Sequence, residues 1–362
     1  MASRLHRLHS EGGQSPWLDN LQRGWLHDGE LARWVERGVR GVTSNPTIFA
    51  NAMQNAVYDE QLRAVLESGR SVEEAYWELV VTDIVEALAV LRPVFDASDG
   101  GDGFVSVEVD PRLAHDTAAT VQAARELNRR IDRPNLMVKV PATRAGVAAI
   151  EALTGEGISI NATLIFSRQR HGEVMEAYLR GLETVKGDLS LISSVASFFV
   201  SRVDGEVDAR LEVLGAAVAA PLRGKAAVAN AQVAYDLFIE TFSGPRWDAL
   251  AARGGRVQRP LWASTSTKNP SYPDTLYVDE LIGAHTVNTI PEATLVAFVD
   301  HGIVGRTVDA HLAGAYDVLE RLARLGIALD EVTDKLEADG VAAFIASFDE
   351  VLATLAGRAT TA

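Results

Sequence analysis

Residues 104–110 read Phe104-Val105-Ser106-Val107-Glu108-Val109-Asp110, and residues 136–140 read Leu136-Met137-Val138-Lys139-Val140. In an extended chain, successive side chains point to opposite faces. Val105, Val107 and Val109 therefore share one face, and Ser106, Glu108 and Asp110 the other. Val138 and Val140 share a face that Lys139 points away from. The run Ile158–Ile165 repeats the pattern, with Ile158, Ile160, Ala162 and Leu164 opposed to Ser159, Asn161 and Thr163. Three successive strands thus pair one apolar face with one polar face.

Outward from this core lie five more β-type runs: Trp17–Asn20, Gly41–Ser44, Leu189–Val195, Leu261–Ser264 and Thr286–Thr289. Helical patterns separate most of them, at Ser71–Arg92, Ala114–Arg130, Arg144–Leu153 and Arg168–Leu182. Ser71 and Glu74 have capping-box spacing at the start of the first. Alternating strands and helices predict βα units and a parallel sheet. Eight units predict a closed (β/α)₈ (TIM) barrel, with an open doubly wound sheet as the rival. No G-x-G-x-x-G follows an early strand, which weakens the dinucleotide-binding form of that rival. The segment Ser243–Pro260 reads as a long surface connection, Asp96–Gly103 as a loop, and the chain beyond Gly305 as two additional amphipathic C-terminal helices. We expect one barrel domain over residues 1–362 with short N- and C-terminal tails, the final Ala-Thr-Thr-Ala being frayed.

The chain has 362 residues, 47% of them hydrophobic, and a net charge of −15 from 34 basic and 49 acidic side chains. An acidic surface repels nucleic acid and anionic membranes, so neither is expected as a partner. It also repels phosphorylated ligands unless basic groups are focused at one site. There are no cysteines, which excludes disulfides, thiolate metal sites and cysteine nucleophiles. Arg4, Arg7 and two histidines open the chain without an apolar run behind them, so no secretory signal is expected. No apolar stretch approaches the ~20 residues of a spanning helix, and a cytoplasmic location is expected.

In a barrel the apolar strand face packs on the outer helices and the other face points inward. Glu108, Lys139, Asn161 and Thr163 would then be buried, which is costly unless they are paired. A structural ion pair is one reading of Glu108 and Lys139, but such pairs stabilise poorly compared with apolar packing. The other reading is amine chemistry. Desolvation disfavours the ammonium form of a buried lysine, and the neutral amine attacks carbonyls. Glu108 then acts as a proton shuttle rather than a permanent tight partner, with Thr163 and Asn161 holding water or substrate hydroxyls.

Asp19 closes the first strand, as a cap or turn residue or as an acid/base. Asn45 stands in Ser44-Asn45-Pro46, a turn initiator at a strand end. Arg202 and Lys268 follow the sixth and seventh strands, as solvated charges or as a phosphate clamp. His115, His285 and His301 are scattered and no metal-ligand spacing occurs, so no metal is expected. Hydrolase and NTPase motifs are also missing.

The chain resembles the transaldolases. Gly41-Val42-Thr43-Ser44-Asn45-Pro46-Thr47-Ile48-Phe49 looks like that family's first signature, and Asn135–Thr143 looks like the segment bearing its Schiff-base lysine. Ser106–Arg112 and Ile160–Ser167 are similar to two further segments, in the family's order. The resemblance implies a (β/α)₈ barrel and a cofactor-free enzyme of the non-oxidative pentose phosphate pathway. It would move a dihydroxyacetone unit from sedoheptulose 7-phosphate to glyceraldehyde 3-phosphate, giving erythrose 4-phosphate and fructose 6-phosphate. It also implies roles: Lys139 as nucleophile, Asp19 as acid/base, Glu108 and Thr163 in Schiff-base water chemistry, and Asn45 and Asn161 on substrate hydroxyls. Ser197 matches a substrate contact, and Arg202, Ser266 and Lys268 match the phosphate pocket, although the family often has Arg where Lys268 stands. A simple aldolase of the same superfamily, which tends to carry Tyr at the position of Phe199, is the nearest alternative. A catalytically silent sugar-phosphate-binding barrel is the second.

Overall fold

Eight parallel strands close into a barrel in a computed structural model that describes residues 3–359. They are β1 (Gln14–Leu18), β2 (Val42–Thr43), β3 (Val105–Glu108), β4 (Leu136–Pro141), β5 (Ile160–Ile165), β6 (Ser194–Phe199), β7 (Arg259–Ala263) and β8 (Thr286–Ile290). Each strand pairs with its sequence neighbours, and β1 closes the ring against β8. The expected (β/α)₈ barrel is therefore present. Val105, Val107, Val138, Val140, Ile160 and Ala162 are all buried, as the apolar face requires.

Register decides which polar groups meet inside. Glu108 lies opposite Lys139, Lys139 opposite Asn161, and Pro141 opposite Thr163. Partners in a parallel ladder point the same way, so these side chains enter the barrel side by side.

Several elements differ from the sequence reading. The sixth strand runs Ser194–Phe199, later than the expected Leu189–Val195. The apolar run misleads because Leu191 is exposed in a turn, whereas Val195, Phe198 and Phe199 are buried. Within β5 the ladder register shifts between Ala162 and Ile165. Leu164 there has φ +59, a left-handed conformation that a γ-branched residue adopts only under constraint. Its side chain meets the backbone at Gly340, where an added Cβ would stand 3.0 Å from Leu164 Cδ2. Leu164 thus leaves the outward apolar face to which alternation assigned it.

The segment read as a surface connection contains the helix Gly244–Ala251, begun by Pro245 in its first turn. The capping box of Ser71 and Glu74 is formed, but that helix continues through Pro93 to Ala97. The expected N-terminal tail holds a helix, Arg4–Ser10, whose Leu5 and Leu8 are buried. Two C-terminal helices follow the barrel, Leu312–Arg324 and Leu329–Ala359. Most of the expected frayed tail, Thr360 to Ala362, lies outside the described residues.

The last helix overturns one expectation. By length and composition Leu329–Arg358 is apolar enough to cross a bilayer. In the structure its apolar residues Phe344, Phe348, Val351 and Leu355 are buried. Phe348 packs edge-on against Tyr76 at 5.1 Å, and Ser347 Oγ lies 2.8 Å from Thr47 Oγ1. The helix therefore crosses the C-terminal mouth of the barrel.

Candidate active site

Residues near the C-terminal ends of barrel strands line the reactive face of this architecture. Here they enclose a cavity of about 280 Å³. Asp19, Asn45, Lys139 and Thr163 line it from the first five strands, and Ser197, Arg202, Ser266 and Lys268 from the sixth and seventh. Eight of the residues singled out from sequence therefore share one space. Glu108 and Asn161 stand just behind and below it.

Lys139 is nearly fully buried. Its Nζ lies 3.2 Å from Glu108 Oε2 and donates a hydrogen bond to the Ser44 carbonyl at 3.3 Å. Ser44 is fixed in turn, since its hydroxyl donates to the Ser106 carbonyl at 2.8 Å. The Phe344 ring centroid stands 5.6 Å from the same Nζ, so the last helix supplies one wall. Glu108 is in direct contact with the lysine, closer than a proton shuttle acting at a distance requires, because strand register sets the two side by side. Neither Glu108 carboxyl oxygen accepts an aligned hydrogen bond from a described residue. Burial raises the Glu108 carboxyl to about 7, with Lys139 opposing the rise and Asp19 adding to it. The carboxyl is thereby poised to give and take protons near neutrality.

Asp19 follows β1, and its amide donates to the Ile290 carbonyl at 3.0 Å. Its carboxyl accepts from the Thr43 hydroxyl at 2.8 Å. Burial pushes its pKa up, against the pull of Lys139, the Thr43 bond and Lys268. Thr43 Oγ1 is also 2.5 Å from Thr289 Oγ1. Asn45 satisfies both of its readings. Its Oδ1 caps the helix Pro46–Ala52 by accepting from the Ile48 amide at 2.9 Å, while the residue faces the cavity.

Thr163 is fully buried and its hydroxyl has no partner among the described residues. Asn161, expected on substrate hydroxyls, is bonded to its neighbours in the barrel interior. Its Nδ2 donates to Ser106 Oγ at 3.0 Å and its Oδ1 accepts from Ser197 Oγ at 2.6 Å. It is absent from the cavity lining and forms a layer beneath Ser197.

Arg202 sits in the first turn of the helix Ser201–Leu214, with its guanidinium 5.3 Å from the Phe199 ring centroid. It makes no ion pair with a described residue, and burial lowers its pKa. Lys268 is more exposed and donates to Ser266 Oγ at 2.9 Å. Two cations, one at a helix start and one on the loop after the next strand, therefore face one cavity. Sequence reasoning missed Thr43, Thr289, the Ser44 carbonyl and Phe344. Strand parity could have found the threonines, while Phe344 depends on how a distant helix docks. Among the described residues no group of three or more His, Cys, Asp or Glu is placed to hold a metal.

The family model described as Transaldolase/Fructose-6-phosphate aldolase matches residues 16–355. The chain is 51% identical to Transaldolase 1 of Streptomyces coelicolor, over 98% of this chain and 94% of the relative. It is 53% identical to the transaldolase of Acidothermus cellulolyticus, over 96% of this chain and 94% of that one. It is 52% identical to the transaldolase of Thermobifida fusca, with 97% of each chain covered.

Proposed function

The chain belongs to the transaldolase/fructose-6-phosphate aldolase family, and from that premise we propose that it is a transaldolase whose Schiff base forms on Lys139. The observation that carries the reading is the Lys139 amine, which borders the cavity 3.2 Å from Glu108, a carboxyl raised to about 7.

The substrates are a ketose phosphate donor, sedoheptulose 7-phosphate, and an aldose phosphate acceptor, glyceraldehyde 3-phosphate. Lys139 attacks the donor's C2 carbonyl, giving a carbinolamine. Glu108 protonates the departing hydroxyl, with the unpartnered Thr163 hydroxyl holding the water between them, and an iminium remains. Asp19 takes the proton of the C4 hydroxyl as the C3–C4 bond breaks. That electron pair flows into the iminium and leaves an enamine of the dihydroxyacetone unit, while erythrose 4-phosphate departs. The acceptor aldehyde then takes the carbon from the enamine, with Asp19 returning its proton to the new alkoxide. Water finally releases fructose 6-phosphate and Lys139.

Arg202 and Lys268, with Ser266, fit the phosphate by charge-assisted hydrogen bonds. Asn45 and Ser197 fit substrate hydroxyls. We also take residues 1–362 as one catalytic domain and place the enzyme in the cytoplasm. Support for the first is the packing of both terminal helices on the barrel, and for the second the composition alone.

Borohydride reduction in the presence of fructose 6-phosphate tests the mechanism. Peptide mass analysis is expected to find a reduced three-carbon adduct on Lys139, and folded protein without that adduct would refute it. The aldolase alternative is separated by omitting the acceptor. A transaldolase stalls at the enamine, whereas steady release of free dihydroxyacetone identifies an aldolase.

A further inference from the structure

A second cavity, of about 700 Å³, opens at the opposite end of the barrel from Lys139. Its walls come from the first residues of strands or from the segments just before them, including Ser15 in β1, Arg40 before β2, Asp102 before β3 and Arg259 at the start of β7. This end of a (β/α)₈ barrel ordinarily serves stability alone, and part of the lining does so here. The fully buried Asp102 accepts from Trp17 Nε1 at 2.8 Å and Arg40 Nε at 2.8 Å, and also from the Ser15 hydroxyl.

That network leaves an imbalance. Three guanidiniums, those of Arg40, Arg256 and Arg259, face the cavity, and Asp102 is its single lining carboxylate. Arg259 reaches Asp102 at 3.5 Å and donates to the neutral Ser15 hydroxyl at 3.1 Å, so its charge is only loosely matched. The one side-chain bond that Arg40 makes to a described residue is through Nε, to Asp102. Arg256 makes no ion pair within 4 Å with a described residue and holds the backbone carbonyls of Ser190 and Asp99. Asp188 lies within its field, but that carboxylate is engaged by the Ser190 amide and hydroxyl. The positive field also registers on His9 in the lining, whose pKa is lowered by burial and then by Arg40, with Asp102 opposing.

A chain of net charge −15 repels anions at long range, so a local guanidinium excess in a concave site is what draws one in. Guanidinium forks match phosphate oxygens in pairs. The volume suits a small molecule rather than a lone ion, and Trp247 in the lining offers an apolar face beside the arginines. We propose that this mouth of the barrel binds a small organic phosphate, with the phosphate on Arg40, Arg256 and Arg259 and the organic part toward Trp247. The proposal is independent of the role of Lys139.

Calorimetric titration with phenyl phosphate tests it, using the full chain carrying Arg202→Ala and Lys268→Ala so that the catalytic cavity does not contribute. Saturable one-to-one binding is expected. Adding Arg256→Gln should weaken it about tenfold or more, the loss of one charge-assisted contact. Arg256 bonds only backbone carbonyls, so folding should survive. As a second variant, Arg259→Gln removes a guanidinium while leaving Asp102 paired with Arg40, and should weaken binding as strongly. No saturable binding, or binding that neither variant changes, overturns the proposal.

Discussion

Replacing Glu108 by glutamine separates what this carboxyl costs from what it does. Its ordinary pKa of 4.5 is raised to about 7, chiefly by burial. At about 1.36 kcal/mol for each pH unit, the gap corresponds to about 3 kcal/mol. A carboxyl raised in the folded state leaves stability intact below 4.5, and that stability is lost as pH climbs through about 7. At low pH the wild-type side chain is neutral, like glutamine, and the two proteins should be nearly equally stable. Urea unfolding from pH 4.5 to 8.5 should then show the difference moving toward Glu108→Gln by up to about 3 kcal/mol, most of it gained before pH 7.5. Single-turnover Schiff-base formation should fall in the same variant by about 10²- to 10⁴-fold, the usual worth of positioned proton transfer. Its pH dependence should also lose the inflection near 7. A stability difference flat across this range refutes the burial argument. Schiff-base formation within tenfold of wild type refutes the shuttle.

Lys139→Arg should abolish turnover in a folded protein, because guanidinium stays protonated and cannot attack; steady-state rates above background would reject the nucleophile. Thr163→Val should slow Schiff-base formation in stopped flow while changing urea stability by less than about 1 kcal/mol, since its hydroxyl has no described partner to lose. An equal loss in both readouts would make the residue structural. Lys268→Ala should raise KM for both phosphorylated substrates several-fold with little change in kcat, and Arg202→Ala, at a more buried site, should raise it further. An unchanged KM in either variant removes that residue from the phosphate site.

The barrel was legible because a parallel strand carries its own instructions. Alternation alone placed Ser106, Glu108, Lys139, Asn161 and Thr163 on one face, and register then made them neighbours. The reading failed where a local pattern was outweighed by distant packing. Leu189–Ile192 is as apolar as a strand, yet the ladder starts at Ser194. Leu164 obeys the alternation in sequence and breaks it in space, because the register shift and its positive φ turn it toward Gly340. Phe344 has no local signal at all. It reaches Lys139 only because a helix of 31 residues docks over the mouth, an event decided by side chains from many parts of the chain.

Asn161 shows how far residue type can be trusted as a guide to role. Its inward position was readable, and an inward amide beside a lysine invites a substrate contact. Yet its bonds to Ser106 and Ser197 occupy one donor and its acceptor within the barrel. A side chain held in this way is better placed to hold Ser197 still than to bind a ligand itself. The contrast with Thr163 is physical. Both are fully buried and inward, but only the threonine keeps an unpartnered hydroxyl on the cavity wall. No described residue partners the Thr163 hydroxyl, so on the cavity wall it is free to bond a water or a substrate oxygen. A hydroxyl left free at the cavity wall, rather than any polar group facing inward, is thus the ground on which the proposed mechanism assigns the reaction's water to Thr163.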